Sequence, residues 1–378
     1  MPRSVQSART AAQPARAPRA PRARRAPPTP PASNEPPAPP VSSASNTPNA
    51  PNAPNAPDVS HAKARPVPED AVAALIPPDR EHVQFELEGE TVRLTNLQKP
   101  FWPERGVTKG DLLRYYVRIS PVLLPHIRSR AMVMKRYPNG AGGEFFFMKR
   151  APASRPPYVG VCSIEHGSGS VIDFAVVNDL PGLLWLINLG CIDLNPWYAR
   201  CDDTNRPDYL HFDLDPTPGA TFSHIREAAL VLREALDELK MPSFVKTTGS
   251  RGLHIYVPIE RGPTQKEVWT VAKAMARVLA ARRPDLLTFE YRIAERPPAH
   301  VLIDYNQNAW GRTLASIYSV RPSPAAGVST PVTWEEVAAG FAIEDHRLDT
   351  VPARVERLGD LWTPMLEPAR RVRLADFA

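Results

Sequence analysis

Cysteine is scarce: the 378 residues include three, Cys162, Cys191 and Cys201. No two share a C-x-x-C spacing and no histidines group beside them, which argues against a disulfide framework and against a zinc site. A reducing, cytoplasmic setting is expected. No run of about 18 apolar residues occurs, so no membrane span is expected. Aromatic and β-branched residues are nearly missing from the first 78 positions, which hold 20 of the 45 prolines and the repeat TPNAPNAPNAP at 47–57. Such a stretch buries too little apolar surface to offset its ordering entropy. Residues 1–78 are therefore expected to be a disordered Pro/Ala/Arg-rich tail, and 79–378 the folded part. Acids are also rare at the start. Residues 1–65 carry nine Lys or Arg against Glu35 and Asp58, a net of +7, while the whole chain is +6. The remainder is near neutral, so nucleic-acid binding by the core has to come from clustered basic residues. The Arg-rich start superficially resembles a transit peptide, but its prolines break the amphipathic helix such peptides need. A flexible, phosphate-neutralising arm is the alternative.

Within the folded part, HVQFELEGETVRLTN (82–96) predicts a hairpin about an EGE turn. TKGDLLRYYVRISPVLLPHI (108–127) predicts a helix capped by Thr or Asp and ending where Pro121 and Pro125 intrude. AMVMKRYPNG and EFFFMKRAP form a strand pair around NGAGG. A helix after Pro181 leads through GCIDLNPW to Trp197. Then come the strand YLHFDLD, the helix at 223–240, the strand–glycine loop–strand FVKTTGSRGLHIYVPI, an amphipathic helix at 264–283, and the apolar strand in HVLIDYNQN. Hairpins mixed with irregular αβ alternation indicate an α+β fold with antiparallel or mixed sheets.

The most unusual residues are Asp213 and Asp215. On a strand, i and i+2 share a face, so the two carboxylates stand together while Phe212 and Leu214 point into a core. Like charges so placed push one carboxyl toward protonation unless a cation lies between them, and oxygen-only donors suit Mg²⁺ or Mn²⁺. A solvent-facing pair on an edge strand, or a cap for the turn at Pro216, satisfies the same pattern. TTGSRGLH sets Ser250 and Arg251 between glycines with His254 on the outgoing strand, which suits a phosphate but also an ordinary hairpin turn. Asp304 ends a third apolar strand, where an Asp commonly starts a turn.

Taken in chain order, D-x-D, S-R-G-x-H and a third-strand Asp form a more specific pattern. It resembles the archaeo-eukaryotic primase superfamily, and more closely the polymerase domain of bacterial DNA ligase D. The likeness runs from about residue 80 to 365 and includes LTNLQKPFWPERGVTKGDLLRYY and DYNQNAWGRTLASIYSVRPSPAAGVSTPVTW. It implies a primase-polymerase fold with two mixed or antiparallel sheets flanked by helices. The N-terminal part (79–205) would contact DNA, and the catalytic part (206–378) would be related to the RNA-recognition fold.

By this resemblance Asp213, Asp215 and Asp304 are catalytic and hold two Mn²⁺ or Mg²⁺ ions. Lys135, Ser250, Arg251, His254, Gln307 and Arg321 surround an incoming NTP or dNTP. Asn96, Lys99 and Lys109 form a pocket for a DNA 5′-phosphate, where ordinary surface lysines are the plainer reading. Phe146 and Phe147 stack on the template, and Lys149 lies near its backbone; alternation leaves room for one of the two rings to be core. Asn195 stands where relatives often carry His, which puts triphosphate affinity or the rate of transfer in doubt. No adenylating-ligase lysine motif and no nuclease-like part is found.

The implied activity is a template-dependent nucleotidyltransferase that fills short gaps or extends broken ends in non-homologous end joining, able to use ribonucleotides. It would work in the bacterial cytoplasm, at the nucleoid, beside a separate DNA ligase and a Ku-type end-binding protein. The same chemistry in excision repair or priming, a non-catalytic end-bridging module, and a metal-dependent nuclease are the alternatives.

Overall fold

The computed structural model describes residues 64–377 except 168. The expected tail, up to residue 63, lies outside the described residues. Its expected boundary at residue 78 is corrected: Glu69–Leu75 is a helix (α1), and Val72 and Ile76 are buried in the larger core. The apolar residues in AVAALI sit at helical spacing and dock on a helix further along the chain, so tertiary packing overrides the proline-rich surroundings.

The hairpin forms as expected from β1 (Val83–Leu87) and β2 (Glu90–Leu94). A short antiparallel pair, β3 (Pro100–Trp102) and β4 (Val107–Thr108), leads into α2 (Lys109–Ile127). Thr108 is the N-cap, and it exchanges capping-box hydrogen bonds with Asp111. This helix does not end at its prolines but runs through both. Pro121 has no N–H to offer the carbonyl four residues back, and the Ser120 hydroxyl donates to that Val117 oxygen instead (2.9 Å). Fourteen of its 19 residues are buried, so packing outweighs the local cost.

Next come β5 (Ala131–Arg136), β6 (Phe146–Met148), β7 (Gly160–Glu165) and β8 (Val171–Val176). They are followed by α3 (Leu180–Asn188) and β9 (Cys191–Pro196). These strands make a five-stranded sheet in the order β6-β5-β8-β7, with β9 also on β5 and β6 at the edge.

The second half runs β10 (Tyr209–Pro216), α4 (Phe222–Glu238), β11 (Phe244–Thr247), β12 (Leu253–Pro258), α5 (Gln265–Arg282), β13 (Leu287–Thr288) and β14 (Val301–Asp304). β15 (Pro331–Val332), α6 (Trp334–Ala339) and α7 (Val351–Leu358) complete it. The six-stranded sheet has the order β13-β14-β10-β12-β11-β15, antiparallel except for β13 on β14. Its β10-α4-β11-β12-α5-β14 path is the βαββαβ connection shared with RNA-recognition folds. The expected α+β class and pair of large sheets are both present.

Among the described residues two large cores lie against the sheets, and a small third one groups Ala131, Val133, Phe174 and Trp197. Phe212 and Leu214 are fully buried between the six-stranded sheet and α4 and α5, with Ile225, Leu232 and Ala276. The larger core joins α1, α2 and α3 to residues far along the chain, including Ile317, Tyr318, Val320, Val351, Trp362 and Met365. The chain therefore does not divide cleanly at 205/206. Its last fifth closes the core that its first elements begin.

Candidate active site

β10 is the central strand of the site, and its register decides the arrangement. Asp213 stands directly opposite His254 on β12 and directly opposite Asp304 on β14. Cα atoms of such antiparallel partners lie about 4.5–5.5 Å apart, so Asp304, far along the sequence, stands beside Asp213, with Asp215 two residues on. Asp213 is buried, and burial together with the Asp304 charge pushes its carboxyl up to about 7. Asp215 is likewise pushed up to about 7, first by Asp213 and then by burial. His254 Nε2 approaches Asp213 Oδ1 to 3.1 Å but is not aligned for a hydrogen bond, and that oxygen has none.

An orphaned buried carboxylate oxygen beside a second repelling acid is a donor set suited to a hard divalent cation. Asp304 is less free. Its Oδ1 accepts from Asn306 N–H at 3.0 Å and its Oδ2 from Gln307 Nε2 at 2.9 Å, because it also caps the 3-10 turn Tyr305–Asn308. Accordingly, no three acidic, His or Cys side chains among the described residues already converge as a closed ligand set. The oxygen without a hydrogen bond is thus Asp213 Oδ1, while both Asp304 oxygens are engaged in the turn.

The glycine loop is built on Thr248. Its hydroxyl accepts from the N–H groups of Ser250, Arg251 and Gly252 (3.2, 3.2 and 3.1 Å), which folds the loop into a tight cradle. Gly249 adopts φ +70°, and Gly252 passes so near β10 that a Cβ there would sit 2.3 Å from the Leu214 carbonyl oxygen. The glycines are thus required by a positive φ in one place and a close backbone approach in the other.

A cavity of about 590 Å³ opens above Asp213 and Asp215, with Asp304 outside its lining. Asp213, Asp215, Ser250, Arg251, His254, Gln307, Arg321, Lys135, Lys149 and Phe147 all line it. Arg321 is anchored by donating to the Thr248 carbonyl at 2.8 Å. Lys135 lies over the Phe145 ring at 4.1 Å, with Phe147 at 5.9 Å. Phe146 is not part of this wall. Phe147 pairs across the ladder with Lys135, whereas Phe146 pairs with Arg136 on the opposite face and lies 5.3 Å from its guanidinium. Neither ring is core, at 45% and 60% exposed for Phe146 and Phe147, because β6 is an edge strand that projects beyond the packed layer.

Two buried ionisable groups at or beside the site give little warning in the sequence. Asp193 on β9 lies 3.8 Å from both Lys135 Nζ and Arg321 Nε, ion-pair distance but too long for a hydrogen bond. Its Oδ1 has no partner, and burial pushes its carboxyl up against the pull of the two cations. Lys246 on β11 is fully buried and contacts His254 Nδ1 at 2.5 Å. Both sit as single ionisable residues in apolar strands, CIDLN and FVKT, and that isolation is the only signal that could have found them. Asn195 also lines the cavity and donates to the Asp193 carbonyl at 3.3 Å.

Asn96, Lys99 and Lys109 lie apart from the cavity, near the start of α2. Lys109 is buried, and its ammonium donates to the Thr95 carbonyl and Asn188 Oδ1, both at 2.7 Å. Burial, with Lys99 and Arg136 nearby, lowers its pKa to about 8. Lys99 reaches Asn139 Oδ1 at 3.4 Å, and Asn96 is exposed with φ 57°.

The family described as "LigD, primase-polymerase domain" matches residues 108–362, which include the whole cavity and its acids. The chain belongs to this family. Among relatives of the LigD primase-polymerase family, it is 32% identical over 278 residues to the multifunctional non-homologous end joining protein LigD of Mycolicibacterium smegmatis. It is 30% identical over 269 residues to the bifunctional non-homologous end joining protein LigD of Bacillus subtilis. These alignments take in 73% and 71% of this chain but 36% and 43% of the relatives, so the chain spans well under half of either LigD protein. The polymerase domain of Mycobacterium tuberculosis ligase D, solved in complex with DNA, superposes with a TM-score of 0.68 at 29% identity. That match covers 72% of this chain and 97% of the LigD domain. Among the described residues no helix is long and apolar enough to cross a membrane.

Proposed function

We propose that the chain is a template-dependent nucleotidyltransferase that fills short gaps and extends broken DNA ends in non-homologous end joining. The observation that carries this is the pairing of Asp213 with Asp304 across β10 and β14, beneath a cavity walled by Ser250, Arg251, His254 and Arg321. Two Mn²⁺ or Mg²⁺ ions held by Asp213, Asp215 and Asp304 would supply Lewis-acid activation of the primer 3′-hydroxyl and offset charge on the triphosphate. The protein's own part is positioning. Lys135, Arg251 and Arg321 draw the triphosphate in, Ser250 and His254 hydrogen-bond to it, and Gln307 borders the nucleotide. Either NTP or dNTP serves as substrate in this reading, with ribonucleotides used readily.

Phe147 offers a stacking face to a template base, and Lys149 a contact to its backbone. Asn96, Lys99 and Lys109 take the 5′-phosphate at the far side of the gap. A phosphate dianion there would raise the Lys109 pKa, which burial first and the two cationic neighbours second hold down at about 8. Asn195 donates a hydrogen bond but carries no charge toward the triphosphate, so affinity is lower than with a protonated His. The names of the relatives point to non-homologous end joining, and a separate DNA ligase and a Ku-type end-binding protein are proposed as partners on the same ends.

The test is primer extension on a gapped duplex with and without a 5′-phosphate, offering NTP or dNTP in Mn²⁺ or Mg²⁺. Metal-dependent incorporation that survives Asp213→Ala with Asp215→Ala overturns the proposal. Chain shortening without added nucleotide would replace it with a nuclease.

A further inference from the structure

Among the described residues seven other than glycine have a positive φ, and five of them are exposed. The two that are buried, Tyr318 (φ 59°) and Ala326 (φ 50°), stand on either side of Arg321. For a side chain as bulky as tyrosine this backbone region is a steric outlier, kept only where the surroundings over-determine it. Between the two residues the chain folds back on itself. Val320 bridges Val328 in antiparallel fashion, and the Arg321 N–H donates to the Gly327 carbonyl at 2.8 Å. This turn presses on the glycine loop of the cavity: a Cβ at Gly249 would sit 2.7 Å from Arg321 Cγ, and one at Gly327 would sit 2.4 Å from the Gly249 carbonyl oxygen.

Every polar group of Tyr318 is engaged. Its N–H donates to the Ser329 carbonyl at 2.7 Å, its carbonyl accepts from the Tyr115 hydroxyl at 2.8 Å, and its phenol donates to Asp360 Oδ1 at 2.9 Å. Asp360 is itself fixed, with His126 Nε2 at 2.8 Å from its Oδ2 and the Trp362 N–H donating to Oδ1 at 3.0 Å. One residue before Arg321, the Val320 N–H donates to the Tyr116 hydroxyl at 3.0 Å. Adjacent tyrosines of α2 and an acid beyond α7 thus grip one strained turn, and none of them lines the cavity. Core packing explains the buried ring of Tyr318 but not its left-handed backbone, which a glycine would adopt without strain. What tyrosine adds there is an anchor.

We propose that Tyr318 is a positioning residue: its strained backbone, held by Tyr115 and Asp360, sets the direction in which Arg321 leaves the turn and keeps that guanidinium at the triphosphate site. Arg321 sits where such a frame would put it, with Nη1 donating to the Thr248 carbonyl at 2.8 Å and Nε 3.8 Å from Asp193. Relaxation of the backbone at 318 would redirect the side chain three residues on and pull it from the glycine loop. The cation that meets the phosphates is therefore preset by groups that never touch them. This rests on the nucleotidyltransferase reading for the identity of the ligand, but not for the frame.

Tyr318→Phe and Tyr115→Phe each delete one oxygen and keep the ring, and two readouts on the full chain compare them with wild type. The first needs no ligand. In protein carrying ¹⁵N-labelled arginine, the Arg321 Nε–H signal, assigned through Arg321→Met, should be sharp in wild type and shifted or broadened in both variants. The second is binding of a non-hydrolysable nucleoside triphosphate in Mg²⁺. Each variant should weaken it roughly three- to tenfold, as the competent turn falls to about a third to a tenth of the population. Binding of gapped duplex DNA should stay within about twofold. In an Arg321→Met background the same substitutions should lower nucleotide affinity no further, because their effect passes through Arg321. Equal losses with and without Arg321 would mean general loosening and overturn the proposal. So would folded variants that keep either wild-type affinity or an unchanged Arg321 signal. Triphosphate binding without incorporation in the wild type would instead sink the nucleotidyltransferase reading and leave the role of Tyr318 standing.

Discussion

Replacing Asp213 with Asn should make the metal-free protein more stable, although it removes a central residue of the site. Burial and the Asp304 charge raise the Asp213 carboxyl from an ordinary 3.8 to about 7. At about 1.36 kcal/mol for each tenfold change, that is a cost of about 4 kcal/mol once the group ionises in the folded state. Asp215 shares part of the same repulsion, so a gain of about 2–4 kcal/mol is expected from Asp213→Asn. The sign follows from linkage. An acid raised on folding keeps its proton in the folded state while the unfolded chain gives its up near pH 4. The penalty therefore builds as pH rises from about 4 to 7 and is complete above 7. Thermal melts in EDTA at pH 8 should show Asp213→Asn melting roughly 4–8 °C above wild type, at about 2 °C per kcal/mol for a domain this large. The difference should shrink toward zero near pH 4, and Mn²⁺ at pH 8 should stabilise the wild type more than the variant. A variant that melts at or below wild type at pH 8 in EDTA would refute the claim that these acids are held together against their repulsion.

Three further outcomes are expected. Gly252→Ala puts a methyl 2.3 Å from the Leu214 oxygen, a backbone atom that cannot swing aside, and should cost about 1–3 kcal/mol in urea unfolding; an unchanged midpoint contradicts the close approach. Phe147→Ala should weaken binding of gapped duplex by roughly 5- to 150-fold in fluorescence anisotropy, the range for one lost base stack of ~1–3 kcal/mol. Phe146→Ala, on the opposite face, should change it little, and equal effects would mean that the cavity face is not the template face. Lys99→Ala should erase any preference for a 5′-phosphorylated gap with little loss of stability, whereas Lys109→Met should also lower stability, because it leaves the Thr95 carbonyl and Asn188 Oδ1 short of a donor. Preference retained in both variants would remove the phosphate from this corner.

Strand geometry with period two placed Asp213 and Asp215 on one face, whereas Asp304 read alone as a turn residue and joined them only through the family resemblance. Asp213, Asp215 and Asp304 needed only a register to meet, and β10 and β14 supply it. The Thr248 cradle was partly legible, since its glycines mark a turn but not that one hydroxyl organises three amides. Asp193 and Lys246 were not legible. A lone charge in an apolar strand carries no periodic signal, and the Arg321 and Ala315 groups that these two meet lie far along the chain. The prolines of α2 misled for a related reason: local propensity ended the helix, while burial of one whole face and the Ser120 hydroxyl carried it on. The helix at 69–75 was hidden in the same way, its few apolar residues finding their partners on α2 and not in their own surroundings.

The interleaving of the larger core has a consequence for how the molecule is made. Helices α1, α2 and α3 leave the ribosome well before Val351, Trp362 and Met365, which seal their apolar faces. At about 5–20 residues per second, α3 waits roughly 8 to 35 seconds for its covering residues. Through that interval the nascent chain carries an unclosed apolar surface, while the βαββαβ unit behind it already has most of its own partners. Expression at lower temperature or with a trigger-type holdase should therefore raise the yield of folded protein, and trimming even the last thirty residues should empty the soluble fraction, not merely shorten the catalytic half.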